Sequence, residues 1–183
     1  MLAVGRLVEK KAPLHLLRAF QLARIHHPHA RLDVVGDGPL RDACRAFVAE
    51  QGLAQHVTLH GSAGRTLVQD LMQKASVFAQ HSVTAANGDM EGTPVSILEA
   101  MASGLPVVST RHSGIADAIE HEISGLLVDE HDIEGMAAAL TRCLGDANLR
   151  ARLGQAARVR VENQFSSEIQ NRRLREFMGI ANS

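Results

Sequence analysis

Glu91-Gly-Thr-Pro-Val-Ser-Ile-Leu-Glu99, running on into Ala100-Met-Ala-Ser-Gly-Leu-Pro-Val-Val-Ser109, is the stretch whose reading decides the fold. Glu91 reads as a loop acid, Thr93-Pro94 as a capping residue and a helix start, and Glu99 as an acid on that helix. The helix then ends and gives way to the apolar run at 106–109, which reads as a buried strand. The same segment sets two carboxylates on either side of a helix N-terminus. Unpaired N–H groups and the positive end of the helix dipole suit a phosphate there, while carboxylates accept hydrogen bonds from hydroxyls. A ligand carrying both phosphates and sugar hydroxyls fits this pattern.

Outward from this stretch, short runs rich in Val and Leu at 2–6, 32–35, 57–60, 77–79, 106–109 and 125–128 predict strands. Each is followed by a segment of helical period, at 13–26, 39–51, 66–74, 94–102, 114–121 and 132–144; Leu40, Cys44, Phe47 and Val48 form the apolar stripe of the second. The alternation predicts an α/β fold, a doubly wound, mostly parallel sheet of about six strands with helices on both faces. Past about residue 132 the alternation stops. Residues 148–162 and 166–178 predict two amphipathic helices, the second capped by Ser166 or Ser167, so that 1–183 reads as a single domain with a core at about 1–145 and a helical tail at about 146–183. Gly36-Asp-Gly38-Pro39 lacks the third glycine of a dinucleotide fingerprint and reads as a turn first, a ligand contact second.

Composition narrows the function classes. With 183 residues, 45% of them hydrophobic, the chain can bury one substantial core. A net charge of −1 and a pI of about 6.8 supply no basic field, and the lack of Trp and Tyr leaves stacking platforms scarce, so no nucleic-acid partner is expected. No apolar run approaches the roughly 20 residues that span a bilayer, and the first residues read as a strand rather than a signal peptide, so a cytoplasmic location is expected. Cys44 and Cys143 fall on apolar helical stripes and read as buried free thiols. His26-His27-Pro28-His29 is the densest histidine cluster, but neighbouring helical side chains diverge and no zinc-type spacing occurs, so no metal is expected.

In an open parallel sheet, ligands sit beyond the carboxyl ends of the strands. The loops at 6–11, 36–38, 60–64 and 81–93 should converge there. Arg6 ends the first strand, and Lys10 and Lys11 precede the first helix. Arg6 with Lys11, favoured over Lys10, can neutralise a diphosphate without a metal, Arg through paired N–H groups and Lys as a point charge. Glu99, on the second turn of its helix, can reach a vicinal diol such as a ribose; Glu91 can reach a sugar hydroxyl on the other side of the phosphates. His81 stands at a site-facing strand end, where packing or solvation competes with a sugar contact.

From Val4-Gly-Arg-Leu-Val-Glu-Lys-Lys11 through Val35-Gly-Asp-Gly38 and Val57-Thr-Leu-His-Gly61 to the two-glutamate segment, the chain resembles the C-terminal, nucleotide-sugar-binding half of a retaining GT-B glycosyltransferase of family 4, the group 1 glycosyltransferases. The resemblance covers nearly the whole chain. It implies that Arg6 and Lys11 bind the donor diphosphate, aided by backbone N–H groups of Gly92, Thr93 and Val95 around Pro94, and that Glu99 holds the ribose and Glu91 the transferred sugar. The loop at His60-Gly61 would border the base. Transfer would be metal-independent, without cofactor, and would retain anomeric configuration, with Arg6, Lys11 and Glu91 as the catalytic set. A glycan or lipid-linked acceptor, polysaccharide biosynthesis, and a full enzyme capable of peripheral membrane association complete what the resemblance implies.

Ser113-Gly-Ile-Ala-Asp117 departs from the Gly-Gly-Ile-Pro-Glu that the family often carries, and the shorter Asp puts a role there in doubt. Family members also have an N-terminal Rossmann-like domain that supplies the acceptor site, and residues 1–183 are expected to be the other half alone. The expected partner is that domain or a partner chain, and alone the chain is expected to transfer sugar weakly or not at all. A non-catalytic nucleotide-sugar-binding or interaction module is the alternative. A glycosidase using Glu91 and Glu99 as acid and nucleophile is a distant third, since it has no need of a cation pair beside a helix start. An oxidoreductase ranks lower still, because the glycine fingerprint is incomplete.

Overall fold

In the computed structural model, which describes residues 1–165, strands and helices alternate: β1 (Leu2–Val4), a 3-10 turn (Glu9–Lys11), α1 (Pro13–Ala23), β2 (Leu32–Val35), α2 (Arg41–Glu50), β3 (Val57–Gly61) and α3 (Arg65–Lys74). They continue as β4 (Phe78–Ala79), α4 (Val95–Ala102), β5 (Val107–Thr110), α5 (Gly114–Ala118), β6 (Leu126–Val128), α6 (Ile133–Gly145) and α7 (Ala147–Gln164). The expected helix at 166–178 lies outside the described residues. The six strands form one open sheet in the order β3-β2-β1-β4-β5-β6, parallel at every pairing. The chain therefore builds outward from β1 on one side, then returns to start β4 on the other. This reversal opens a crevice at the carboxyl ends of β1 and β4, where such sheets bind ligands.

Alternate strand residues feed two cores, as the two-residue period of a strand requires. Ala3, Leu32, Val34, Val108 and Leu126 face α1, α2 and α6, whereas Leu2, Val35, Val107 and Leu127 face α3, α4 and α5. Burial on both faces explains why the strands read as near-continuous apolar runs. The expected tail helix turns out to be a brace. α7 gives Leu149 and Leu153 to the first core and Ala157 and Val161 to the second, crossing the sheet from one face to the other. Asp132 caps α6 through Gly135 N–H at 2.7 Å, and Asp146 caps α7 through Asn148 and Leu149 N–H at 2.9 and 3.0 Å.

The first two βα loops touch backbone to backbone. A Cβ on Gly36, which sits at φ 141°, would overlap the Gly5 carbonyl oxygen, and one on Gly38 would lie 2.5 Å from that of Leu7. Packing thus accounts for the Gly36-Asp37-Gly38 turn. Leu40 donates its N–H to Leu7 at 3.0 Å, so Pro39 and Leu40 belong to this turn and α2 begins at Arg41, two residues later than its sequence pattern predicts. Cys44 and Cys143 are buried free thiols, both pushed up to about 11 by burial. No helix among the described residues is long and apolar enough to cross a membrane.

Candidate functional site

The site is built where β1 and β4 end. Arg6 follows β1 with an exposed side chain and, with Gly5, Gly36, Gly38, Ser62 and Ala63, lines a crevice of about 710 Å³ over the carboxyl ends of β1, β2 and β3. Lys11 closes the 3-10 turn, and its Nζ lies 3.1 Å from Oε2 of Glu91 with side-chain exposures of only 16% and 9%. The sheet thereby joins the basic and acidic members of the predicted set across two separate loops. Lys10, the less favoured lysine, points to Asp89 at 3.0 Å and to the Met90 carbonyl at 3.2 Å.

The stretch from 80 to 94, between β4 and α4, is held from two sides. On one side, Val83 N–H donates to the Lys10 carbonyl at 2.9 Å and Ala86 N–H donates to Oε1 of Glu9 at 2.9 Å. On the other, Glu91 N–H donates to Nε2 of His112 at 3.0 Å, and Nδ1 of His112 lies 2.5 Å from Oε1 of Glu130. A ring nitrogen that accepts from an N–H carries no proton, so the proton resides on Nδ1 and is donated to Glu130. The second oxygen of Glu130 accepts Thr84 N–H at 2.8 Å. Burial pushes the Glu130 carboxyl up, but the hydrogen bonds from His112 and Thr84 outweigh it and hold the carboxyl below its ordinary value.

α4 starts differently from the sequence expectation. Thr93 does not cap it: its hydroxyl donates to the Gly114 carbonyl at 3.2 Å, and Pro94 occupies the cap position without a side-chain hydrogen bond. The first N–H groups of α4 are left without a side-chain acceptor, which suits an anion. A Cβ on Gly114 would crowd Thr93 N at 3.1 Å, so α5 docks closely against this start. Gly92 is exposed with open space where a Cβ would stand, Val95 is 68% exposed, and Glu99 projects from α4 with no side-chain partner among the described residues.

Two histidines near strand ends are engaged within the fold. His60 bonds Asp33 at 2.7 Å, because the β2–β3 register passes from Leu59 to Gly61 and leaves His60 as an extra residue of a bulge. It is Ser62 and Ala63, just beyond Gly61, that line the crevice. His81 is fully buried, accepts His131 N–H at 3.2 Å, and meets the His15 ring edge-on at 5.1 Å. Burial, with His15 and His131 beside it, lowers His81 to about 4. His27 reaches the Thr141 carbonyl at 3.0 Å, and among the described residues no group of three His, Cys, Asp or Glu is arranged to hold a metal ion.

His112 and Glu130 are missing from the sequence reading. They lie just past the ends of β5 and β6, after Arg111 and Asp129, and the rule that site residues follow strand ends was the signal available for them.

Residues 1–160 match the family model described as "Glycosyl transferases group 1". The chain belongs to the group 1 glycosyl transferases. It is 37% identical over 179 residues to the amylovoran biosynthesis glycosyltransferase AmsK of Erwinia amylovora, covering 97% of this chain and 44% of that protein. It is 30% identical over 179 residues to a GDP-mannose-dependent alpha-(1-6)-phosphatidylinositol monomannoside mannosyltransferase of Mycobacterium tuberculosis, covering 97% of this chain and 46% of that one. The chain thus spans less than half the length of these relatives. Among solved structures, Anabaena HepE in complex with UDP and glucose superposes with a TM-score of 0.85 at 22% identity, over 98% of this chain and 48% of that one. The shared architecture is the Rossmann-like half of a GT-B fold.

Proposed function

We propose that this chain is the donor-binding half of a retaining, family 4 hexosyltransferase that moves a sugar from a nucleoside diphosphate sugar to a glycan or lipid-linked acceptor. The observation that carries this reading is the meeting of Lys11 and Glu91 at 3.1 Å beside the uncapped start of α4, with Arg6 on the neighbouring strand end. Phosphate oxygens are served by Arg6, Lys11 and the N–H groups of α4. The exposed Glu99 supplies two acceptor oxygens for a ribose diol, and Glu91 faces the transferred sugar. As the glycosidic C–O bond breaks, negative charge grows on the departing diphosphate, and fixed cations and N–H dipoles stabilise it there without a metal. HepE was solved with UDP and glucose, and one relative is named for GDP-mannose, so uracil and guanine nucleotides are the first donors to test.

The remaining length of the relatives agrees with an acceptor-binding N-terminal domain that completes the cleft, in the same polypeptide or a partner. Calorimetry with UDP, GDP and their sugars, in EDTA, tests the donor assignment. Sugar transfer on addition of the N-terminal domain tests the enzyme assignment, with product anomer analysis reporting retention. Donor binding that persists while transfer stays absent would favour a non-catalytic nucleotide-sugar-binding module.

A further inference from the structure

We infer that His112 is a positioning residue for Glu91, fixing the acid through its backbone while Glu130 holds the His112 ring in the accepting tautomer. The inference rests on the donor-binding reading and adds to it a residue outside the predicted set. Most of the segment 84–90 is exposed, yet Glu91 at its end is 8% exposed. A carboxylate does not stay buried at the end of a solvent-facing loop unless several groups hold it. Lys11 holds the side chain from the β1–α1 connection; His112, 1% exposed, holds the backbone N–H from the end of β5. Glu130, beyond β6, spans the segment, taking Thr84 N–H on one oxygen and the His112 ring on the other.

Backbone anchoring decides where the Glu91 carboxylate stands relative to the α4 start at Val95. None of the hydrogen bonds of His112 goes to Arg6, Lys11 or Glu99. It should therefore govern the part of donor affinity that comes from the sugar and leave the nucleotide part alone. A role in folding only would move both parts together, or neither.

Two substitutions separate these roles. His112→Gln keeps an oxygen that can accept Glu91 N–H at the reach of Nε2. His112→Asn keeps a donor toward Glu130 but is too short to reach Glu91. Calorimetry on the chain compares UDP with UDP-glucose and GDP with GDP-mannose, and the readout is the affinity ratio of sugar nucleotide to nucleotide for the pair that the unaltered chain binds. In His112→Asn this ratio is expected to fall about fivefold toward unity with nucleotide affinity within about twofold, and in His112→Gln to be retained. A retained ratio in His112→Asn, or equal weakening of both ligands in both variants, overturns the inference and leaves the donor reading standing. Failure of the unaltered chain to bind any of the four ligands overturns both. Circular dichroism confirms folding; if His112→Asn does not fold, a collapsed ratio in folded His112→Gln still refutes the positioning role.

Discussion

The Nζ of Lys11 and Oε2 of Glu91 are 80 positions apart in sequence and 3.1 Å apart in space, both nearly shielded from water. Their charges are shared, so in this arrangement Arg6 is the less encumbered cation for a diphosphate. Glu91→Gln should therefore leave nucleoside diphosphate affinity intact or raise it severalfold, because Lys11 keeps its charge and loses its competitor. Lys11→Met strips the cation from a carboxylate with 9% exposure. It should lower unfolding free energy by about 1–3 kcal/mol and diphosphate affinity by about tenfold or more. Urea unfolding and calorimetry with UDP or GDP check both, and a loss of nucleotide affinity in Glu91→Gln equal to that in Lys11→Met would refute the charge-sharing account.

Glu99 has the opposite character, an exposed acid on α4 without a side-chain partner among the described residues. A surface substitution of this kind leaves stability within about 0.5 kcal/mol. Hydrogen bonds to a charged acceptor are worth about 1.5–3 kcal/mol, so Glu99→Ala should cut affinity for a ribonucleotide roughly tenfold or more. The 2′-deoxy form should bind the unaltered chain more weakly and the variant no worse than the ribo form. Undiminished UDP and GDP binding in Glu99→Ala would remove it from the site.

The sheet, its parallel sense and the convergence of the loops that carry Lys11 and Glu91 were legible because strand periodicity is a property of side chains and strand ends gather loops at one edge. The α7 brace was not, since an amphipathic pattern shows a helix its apolar faces but not which core each will cover. The bond of His60 to Asp33 was not legible, because the bulge that places it is a backbone event without a composition signal. Thr93 looked like a cap by its type, yet Gly114 approaches so closely that its carbonyl takes the hydroxyl. His112 and Glu130 act on backbone N–H groups, which every residue except proline carries, so no spacing announced their partners.

Gly36 links fold and site through the space it leaves. Its φ of 141° is disfavoured for side-chain-bearing residues, and a Cβ there would overlap the Gly5 carbonyl beside Arg6. Gly36→Ala is expected to destabilise the chain by about 2 kcal/mol or more and to displace Arg6, weakening nucleotide binding in the variant that still folds. Gly52→Ala is the control, because its φ is also positive but nothing lies within 4 Å of its Cβ position. That variant should lose about 1 kcal/mol and keep its nucleotide affinity. Equal binding losses in the two would show that Gly36 acts on stability alone.

Acid should loosen this domain through histidine before it does so through carboxylates. Burial first, then His15 and His131, lower His81 from 6.5 to about 4 against the raising influence of Asp132 and Glu130, and burial, His131 and Arg18 lower His15. A depressed histidine takes its proton later in the folded chain than in the unfolded one. The unfolded state therefore gains protons first as pH drops below about 6.5, and stability declines until His81 itself titrates near 4. Each tenfold displacement of that equilibrium is worth about 1.4 kcal/mol, so His81 alone accounts for a loss on the order of 3 kcal/mol across the window. Glu122, whose lowering comes first from the Arg142 hydrogen bond, and Glu130 contribute stability that is present above about 4.5 and disappears only below it. Urea unfolding at pH 7.5, 6.5, 5.5 and 4.5 should show the decline, and His81→Gln, which still offers an acceptor to His131 N–H, should flatten it by roughly half or more. Parallel pH profiles for the two chains would place the acid sensitivity elsewhere.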